Sequence, residues 1–180
     1  MEHHLTTYIT HDTLISALGF GTQENLEAIR SYHSGITLQT DKRIADTPLL
    51  AATLSQERLQ QQAEAIGVSG YPRMEQLFIL TINELIRQSG QTLEDKTCGL
   101  ILSTTKGNID LLARHTEHPD EAVFLWKMAE RIGHFFEAAN QVEVISNACI
   151  SGVSALVVAK RWIESGRYKR VIVAGGDILS

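Results

Sequence analysis

The sequence predicts an α/β fold in which helices cover a mainly parallel, mixed sheet. Two observations carry this prediction. Strand-like and helix-like patterns alternate from residue 72 onward, and the apolar run at residues 98–102 lies between polar segments, which is typical of a strand covered on both faces. The chain has 180 residues, of which 43% are hydrophobic and 21% charged, so one core forms without disulfides and we expect a single domain.

The first third of the chain predicts one strand and two helices. Residues 5–10 are rich in β-prone side chains and predict a short strand. Thr22 follows a glycine break and is suited to cap a helix that ends at Arg30 or Ser31. The glutamine-rich residues 56–65 predict a surface helix.

The rest of the chain predicts helices and strands in alternation. Apolar residues recur every three to four positions between Pro72 and Gly90, which predicts a helix that faces the core. A strand follows at residues 98–102, and a long helical pattern covers residues 119–139. A βαβ unit comes last, with its strand, helix and strand predicted at residues 142–146, 151–165 and 171–174.

The charge balance and the cysteine spacing exclude several classes of protein. With 16 Lys and Arg against 21 Asp and Glu, and no basic run, the chain lacks the positive face that binds nucleic acid phosphates. Cys98 and Cys149 are too far apart in sequence for a CxxC pair or a structural zinc site. The N-terminus has no signal-peptide pattern and no apolar run reaches the ~18 residues of a membrane span, so we expect a cytoplasmic protein.

Cys149 is the candidate catalytic residue because it lies between a predicted strand and a predicted helix. The first amides of a helix lack partners and carry the positive end of the helix dipole, which favours a thiolate. A free N–H at the same turn can donate to the oxyanion that forms when sulfur attacks a thioester carbonyl. Apolar Val153, Leu156 and Val157 predict that the first turns of this helix are buried. The alternative is that Cys149 is only a small buried apolar residue.

No cofactor or metal site is predicted. The Gly-Phe-Gly at residues 19–21 lacks the third glycine and the acidic residue of a dinucleotide-binding loop. The paired glycines at residues 175–176 lack the lysine and hydroxyl residue of a phosphate loop, and predict a tight turn at a strand end. His115 and His118 have no third ligand nearby in sequence, so they predict a solvated pair.

Several segments carry a resemblance to one known family. The stretch at residues 145–152, Ile-Ser-Asn-Ala-Cys-Ile-Ser-Gly, resembles the nucleophile motif of the β-ketoacyl synthases, which are thiolase-like condensing enzymes. The Val-Ile-Val-Ala-Gly-Gly-Asp at residues 171–177 is similar to the strand and glycine turn that follow in that family. Residues 8–36 resemble its opening strand and first helix, and residues 98–107 its second strand and glycine-containing loop. The resemblance implies the first half-domain of the thiolase-like fold.

The resemblance implies a condensing reaction at Cys149. In the family an acyl group passes from an acyl carrier protein or CoA to the cysteine, and a malonyl thioester is then decarboxylated and condensed with it. Cys149 would be the acyl-accepting nucleophile, and its own backbone N–H would form one half of the oxyanion hole. The strand at residues 142–146 would pair with its copy in a homodimer. The resemblance implies no cofactor, and a pathway of fatty acid or polyketide type.

The chain departs from the family in length and at three positions. Family members are about twice as long, and their catalytic histidines or His/Asn pair and second oxyanion donor come from segments beyond the match. All seven histidines precede Cys149, so none takes a catalytic role by order along the chain. We therefore expect an N-terminal half that needs a complementary chain or the missing C-terminal half for full turnover. Lys106, Ile150 and Asp177 replace the family's usual residues, which favours a divergent branch and leaves the acyl-chain length open.

Three alternatives remain beside this interpretation. The chain could be a non-catalytic partner that supplies a dimerisation surface or shapes an acyl pocket, although Cys149 counts against this. A CoA-dependent thiolase also places a cysteine at a helix start. A cysteine hydrolase with His134 as its base is compatible with the order of residues, but no local signature accompanies Cys149.

Overall fold

The computed structural model describes residues 6–42, 44–114 and 121–179. The chain divides into two compact units. The larger unit contains residues 71–178 together with the N-terminal residues up to 11, and the smaller unit contains residues 12–70 and Leu179. Within the described ranges, no helix combines the length and the apolar content needed to cross a bilayer.

The smaller unit contains two hairpins and two helices. In chain order its elements are β1 (Ile15–Ser16), β2 (Gly19–Phe20), α1 (Thr22–Arg30), β3 (Ile36–Gln39), β4 (Leu49–Ala52) and α2 (Gln56–Ala65). Strands β1 and β2 pair antiparallel, as do β3 and β4. The predicted glycine break is present at Gly21, which has a φ of 129° and serves as the N-cap of α1.

The helices of the smaller unit were predicted well and its strands were not. Helix α2 has the predicted bounds, because the Ser55 side chain caps it by accepting a hydrogen bond from the Arg58 N–H at 3.3 Å. Helix α1 ends as predicted, but Thr22 is its first residue rather than its cap. In the N-terminal segment, which belongs to the larger unit, the strand predicted at residues 5–10 is wrong over the described residues 6–10, since a β-prone run forms a strand only where another strand pairs with it.

The larger unit contains a parallel three-stranded sheet and three α-helices. Its elements are α3 (Arg73–Ser89), β5 (Cys98–Ser103), α4 (Leu125–Phe135), β6 (Glu143–Ile145), α5 (Ser151–Glu164) and β7 (Arg170–Gly175), with short 3-10 helices at Ile109–Arg114 and Glu121–Val123. The strand order is β6-β5-β7, and both pairings are parallel. The predicted α/β class with helices and a mainly parallel sheet is therefore confirmed.

The predicted elements of the larger unit occur at nearly their predicted positions. Every residue of β5 is buried, as the continuous apolar run at residues 98–102 indicated. Helix α3 begins after Pro72 and ends at Gly90, which adopts the left-handed conformation with a φ of 65°. Helix α4 is shorter than the predicted 119–139, since the left-handed Glu137, with a φ of 49°, lies just beyond its C-terminus.

Helix α5 packs on the sheet through small residues. Ala155 and Ala159 lie against Ile101 of the central strand, and all three are buried. The opposite face of α5 carries Val153 and Leu156, which are 65% and 47% exposed. The prediction that the first turns of this helix are buried is therefore wrong for this face. An apolar stripe on a helix indicates that another segment covers this side, but the stripe does not show whether that segment belongs to the same part of the chain.

Candidate functional site

The loops that follow β5, β6 and β7 leave the sheet at the same edge. Ser103, the last residue of β5, is in register with Ile145 of β6 and with Gly175 of β7. Because the strands are parallel, this edge holds the carboxyl ends of all three, which is where open α/β sheets bind their ligands. Cys149 follows the carboxyl end of β6 and Asp177 follows that of β7.

Cys149 lies on a tight turn between β6 and α5. The preceding residue, Ala148, has a φ of 45°, a left-handed conformation that costs a residue with a Cβ atom about 1 kcal/mol or more. The Ser151 hydroxyl donates a hydrogen bond to the Ala148 carbonyl at 2.6 Å and accepts one from the Asn147 N–H at 2.8 Å. Ser151 therefore closes the turn from within the first turn of α5.

The surroundings of Cys149 can support a nucleophilic thiol. The side chain is exposed, and α5 begins two residues later, so the residue lies beside the positive end of the helix dipole. Among the described residues, the Cys149 N–H has no hydrogen-bond acceptor. An exposed sulfur and an available amide on the same residue are the two groups that attack a thioester and stabilise the resulting oxyanion.

The other cysteine has the opposite environment. Cys98 begins β5, at the other end of the strand from this edge, and its side chain is only 1% exposed. Burial raises the pKa of the Cys98 thiol, and the nearby Arg170 offsets this in part. Cys98 is therefore a structural residue and an internal reference for the reactivity of Cys149.

Asp177 joins the loops after β5 and β7. Its carboxylate accepts hydrogen bonds from the Thr104 hydroxyl at 2.6 Å and from the Lys106 N–H at 3.1 Å. Thr105 donates both its N–H, at 3.1 Å, and its hydroxyl, at 2.9 Å. Burial acts to raise the pKa of Asp177, but these hydrogen bonds outweigh it and hold the pKa below its ordinary value.

We expect the replacement Asp177→Asn to lower the free energy of unfolding at pH 7 by about 1 kcal/mol, a modest value because the carboxylate is partly solvated. Because the pKa of Asp177 is lower in the folded chain than in the unfolded chain, its carboxylate stabilises the fold fully at pH values above the unfolded pKa, near 3.8. This stabilisation is lost as the pH falls through the lower pKa of the folded chain. Urea unfolding of both proteins at pH 7 and pH 3 measures this, and the difference should shrink at pH 3. The exposed Asp46→Asn is the control, and an equal loss in both variants would contradict the role of Asp177.

A buried polar cluster holds the end of the loop after β5 through hydrogen bonds of Asn108. Glu75 of α3 is fully buried; its carboxylate accepts a hydrogen bond from the Asn108 amide at 2.8 Å and lies 2.9 Å from Arg131 Nε of α4. The Asn108 amide also donates to the Ala122 carbonyl at 2.8 Å. This cluster was not predicted from the sequence, although Glu75 precedes the buried Ile79 by four positions and so falls on the core side of α3.

The histidines form no site with Cys149 in the part of the chain that the structure describes. His134 lies in the last turn of α4, and no hydrogen bond links it to Cys149. No group of three or more His, Cys, Asp or Glu side chains with metal-binding geometry occurs within the described ranges. The predicted solvated pair, His115 and His118, lies outside those ranges.

Comparisons with known proteins agree with the motif and with the topology. A model of the 3-oxoacyl-[acyl-carrier-protein] synthase III family matches residues 145–180. The ishigamide ketosynthase/chain length factor has a TM-score of 0.74 and 18% identity, with 92% of this chain and 51% of that chain covered. An oxazolomycin ketosynthase domain from Streptomyces albus JA3453 has a TM-score of 0.61 and 16% identity, with coverages of 84% and 32%.

A further similar structure is a β-ketoacyl synthase from Burkholderia phymatum STM815, with a TM-score of 0.55 and 16% identity, over 85% of this chain and 42% of that chain. Among curated protein sequences, none matches the chain significantly. The chain spans about half the length of the ishigamide ketosynthase/chain length factor. The resemblance to the thiolase-like ketosynthases is confirmed, and the family model includes the turn that carries Cys149.

Proposed function

We propose that this chain, which has the fold of the thiolase-like ketosynthases, is the N-terminal part of a β-ketoacyl synthase that accepts an acyl group on Cys149. One observation carries the proposal. Cys149 is exposed on a left-handed turn at the start of α5, and its backbone N–H has no acceptor among the described residues. The donor would be the thioester of an acyl carrier protein or of CoA.

The proposed step is a thioester exchange at sulfur. The Cys149 thiolate attacks the carbonyl carbon of the donor and forms a new carbon–sulfur bond, and the carbonyl oxygen becomes an oxyanion. The Cys149 N–H donates a hydrogen bond to that oxyanion. Collapse of the intermediate breaks the bond to the donor sulfur, which leaves as a thiolate and takes up the proton that Cys149 released. The acyl group then remains on Cys149 as a thioester.

Decarboxylative condensation with a malonyl thioester requires a second contribution. The described residues place no histidine in hydrogen-bond contact with Cys149, and the chain spans about half of a related ketosynthase. The exposed apolar face of α5, which includes Val153, Leu156 and Val157, lies directly beside the site. We infer that a complementary half, on the same or on another chain, covers this face and completes the catalytic centre.

Strand β6 supports the proposed homodimer. Among the described residues, β6 pairs with β5 on one side and with no strand on its other side. An unpaired edge offers backbone donors and acceptors to a second copy of the same strand. The proposal is that residues 142–146 of two chains pair across a two-fold axis, in line with the family resemblance.

Acyl transfer from a thioester tests the proposed function. The chain is incubated at neutral pH with an acyl-CoA or with an acylated carrier protein, and intact mass and peptide mapping locate the adduct. We expect one acyl group on Cys149, none in Cys149→Ala and an unchanged adduct in Cys98→Ala. A wild-type chain that forms no adduct, yet is folded, would instead support the non-catalytic partner.

A further inference from the structure

We propose that Ser151 is a positioning residue that aims the backbone N–H of Cys149 at the substrate carbonyl. This inference rests on the proposed function, because it assigns a role within the same acyl-transfer step. Ser151 does not touch the reacting atoms; it acts through the peptide group that joins Ala148 to Cys149. The contacts that carry the proposal are the two hydrogen bonds of the Ser151 hydroxyl.

The peptide group between Ala148 and Cys149 is the element that Ser151 holds. A trans peptide is planar, and its C=O and N–H point in opposite directions. The Ala148 carbonyl accepts hydrogen bonds from the Ser151 hydroxyl at 2.6 Å and from the Ser151 N–H at 3.2 Å. With the carbonyl held toward the start of α5, the Cys149 N–H at the other side of the same plane must point away from the helix.

The Ser151 hydrogen bonds restrain the orientation of this peptide group. Rotation of the 148–149 peptide changes ψ of Ala148 and φ of Cys149, and it leaves the left-handed φ of Ala148, 45°, unchanged. Such a rotation would exchange the positions of the carbonyl and the N–H, and the oxyanion would then face a carbonyl oxygen. The Ser151 side chain is only 6% exposed, so water does not easily replace its hydroxyl.

The Ser151 hydroxyl also ties the turn to the end of β6. It accepts the Asn147 N–H at 2.8 Å while it donates to Ala148, so one side chain fixes the residues on both sides of the bend. The neighbouring Ser154 has a different role. Its hydroxyl accepts a hydrogen bond from the Asn147 side-chain amide at 3.1 Å and contacts neither backbone group of the bend. Ser154 is therefore the matched control.

The test compares two reactions of the same sulfur. Alkylation of Cys149 by iodoacetamide requires an accessible thiolate but forms no oxyanion, whereas acylation by an acyl thioester requires the N–H to be aimed correctly. Both rates are measured as a function of pH in the full chain for wild type, Ser151→Ala, Ser151→Thr and Ser154→Ala. Thermal unfolding of each variant establishes that it is folded.

We expect Ser151→Ala to slow acylation by about 10-fold to 100-fold and alkylation by less than about threefold, since only acylation uses the oxyanion donor. Ser151→Thr retains a hydroxyl and should retain acylation, and Ser154→Ala should leave both rates unchanged. Equal losses of both rates in Ser151→Ala, or no loss of acylation, would overturn the positioning role. If Ser151→Ala does not fold, a loss of acylation in a folded Ser151→Thr decides against it. A wild-type chain that is alkylated but never acylated would overturn the proposed function itself.

Discussion

Replacement of Glu75 by alanine is expected to lower the free energy of unfolding by about 3 kcal/mol, because it leaves buried polar groups without their partner. Glu75 is fully buried, and its carboxylate contacts the Asn108 amide and the Arg131 guanidinium. Arg131 can turn toward solvent, since its side chain is 36% exposed, so the loss lies at the lower end of the range for buried ion pairs. Asn108 cannot turn toward solvent, because it is fully buried.

Urea unfolding at pH 7 measures this loss in the full chain. Glu75→Gln keeps an oxygen acceptor for Asn108 but loses both the charge and the acceptor opposite Arg131, so its midpoint should fall between those of wild type and Glu75→Ala. Glu84→Ala is the matched control on the same helix, because Glu84 pairs with the exposed Arg87 and should leave the midpoint nearly unchanged. Equal midpoints for Glu75→Ala and Glu84→Ala would contradict the importance of the buried cluster.

The consequence of Glu75→Ala should reach the candidate site. Asn108 ends the loop that begins at Thr104, and Asp177 holds the other end of that loop through Thr104, Thr105 and Lys106. The loop is therefore fixed at both ends by carboxylates from elsewhere in the sequence. Neither contact could be predicted, because the hydrogen-bonded residues are 33 and 73 positions apart and no local pattern links them.

Strand β5 and helix α5 of the larger unit could be predicted because local signals and packing agree there. The apolar run at β5 is buried on both faces, and α5 begins at Ser151 as its pattern indicated. The β3/β4 hairpin was missed for the opposite reason. Its strands have only four residues each. The alternation in β3, Ile-Thr-Leu-Gln, is too short to be distinctive, and β4, Leu-Leu-Ala-Ala, does not alternate at all.

The position of Cys149 between a strand and a helix could be predicted, but the left-handed turn and the Ser151 hydrogen bonds that expose it could not. The strand-to-helix boundary follows from periodicity, and it puts the cysteine beside the first amides of α5. The left-handed Ala148 has no signal in the sequence, since glycine or asparagine is the usual residue in that conformation. The role of Ser151 becomes visible only when the bend is seen, because its hydroxyl would otherwise suggest an ordinary helix cap.

Native-state alkylation is expected to modify Cys149 at least ~100-fold faster than Cys98, since Cys98 reacts only when the fold opens. Cys149 is exposed, whereas the Cys98 side chain is 1% exposed and burial raises the pKa of its thiol. Iodoacetamide at neutral pH followed by peptide mapping gives both rates in one sample. In urea the two rates should converge, because unfolding removes the burial that protects Cys98.

The ratio of the Cys149 alkylation rate to the Cys98 rate distinguishes a Cys149 that the folded turn presents to solvent from a Cys149 that is only a small buried apolar residue. A ratio of ~100 that disappears in urea reflects a cysteine presented by the folded turn, as acyl transfer requires. Comparable rates caused by a slow Cys149 would show that this residue is covered in solution and would remove the basis for a nucleophile at this position. Comparable rates caused by a fast Cys98 would show only that β5 opens readily. Cys98→Ala and Cys149→Ala assign each rate to its residue, so the outcome does not depend on the peptide map alone.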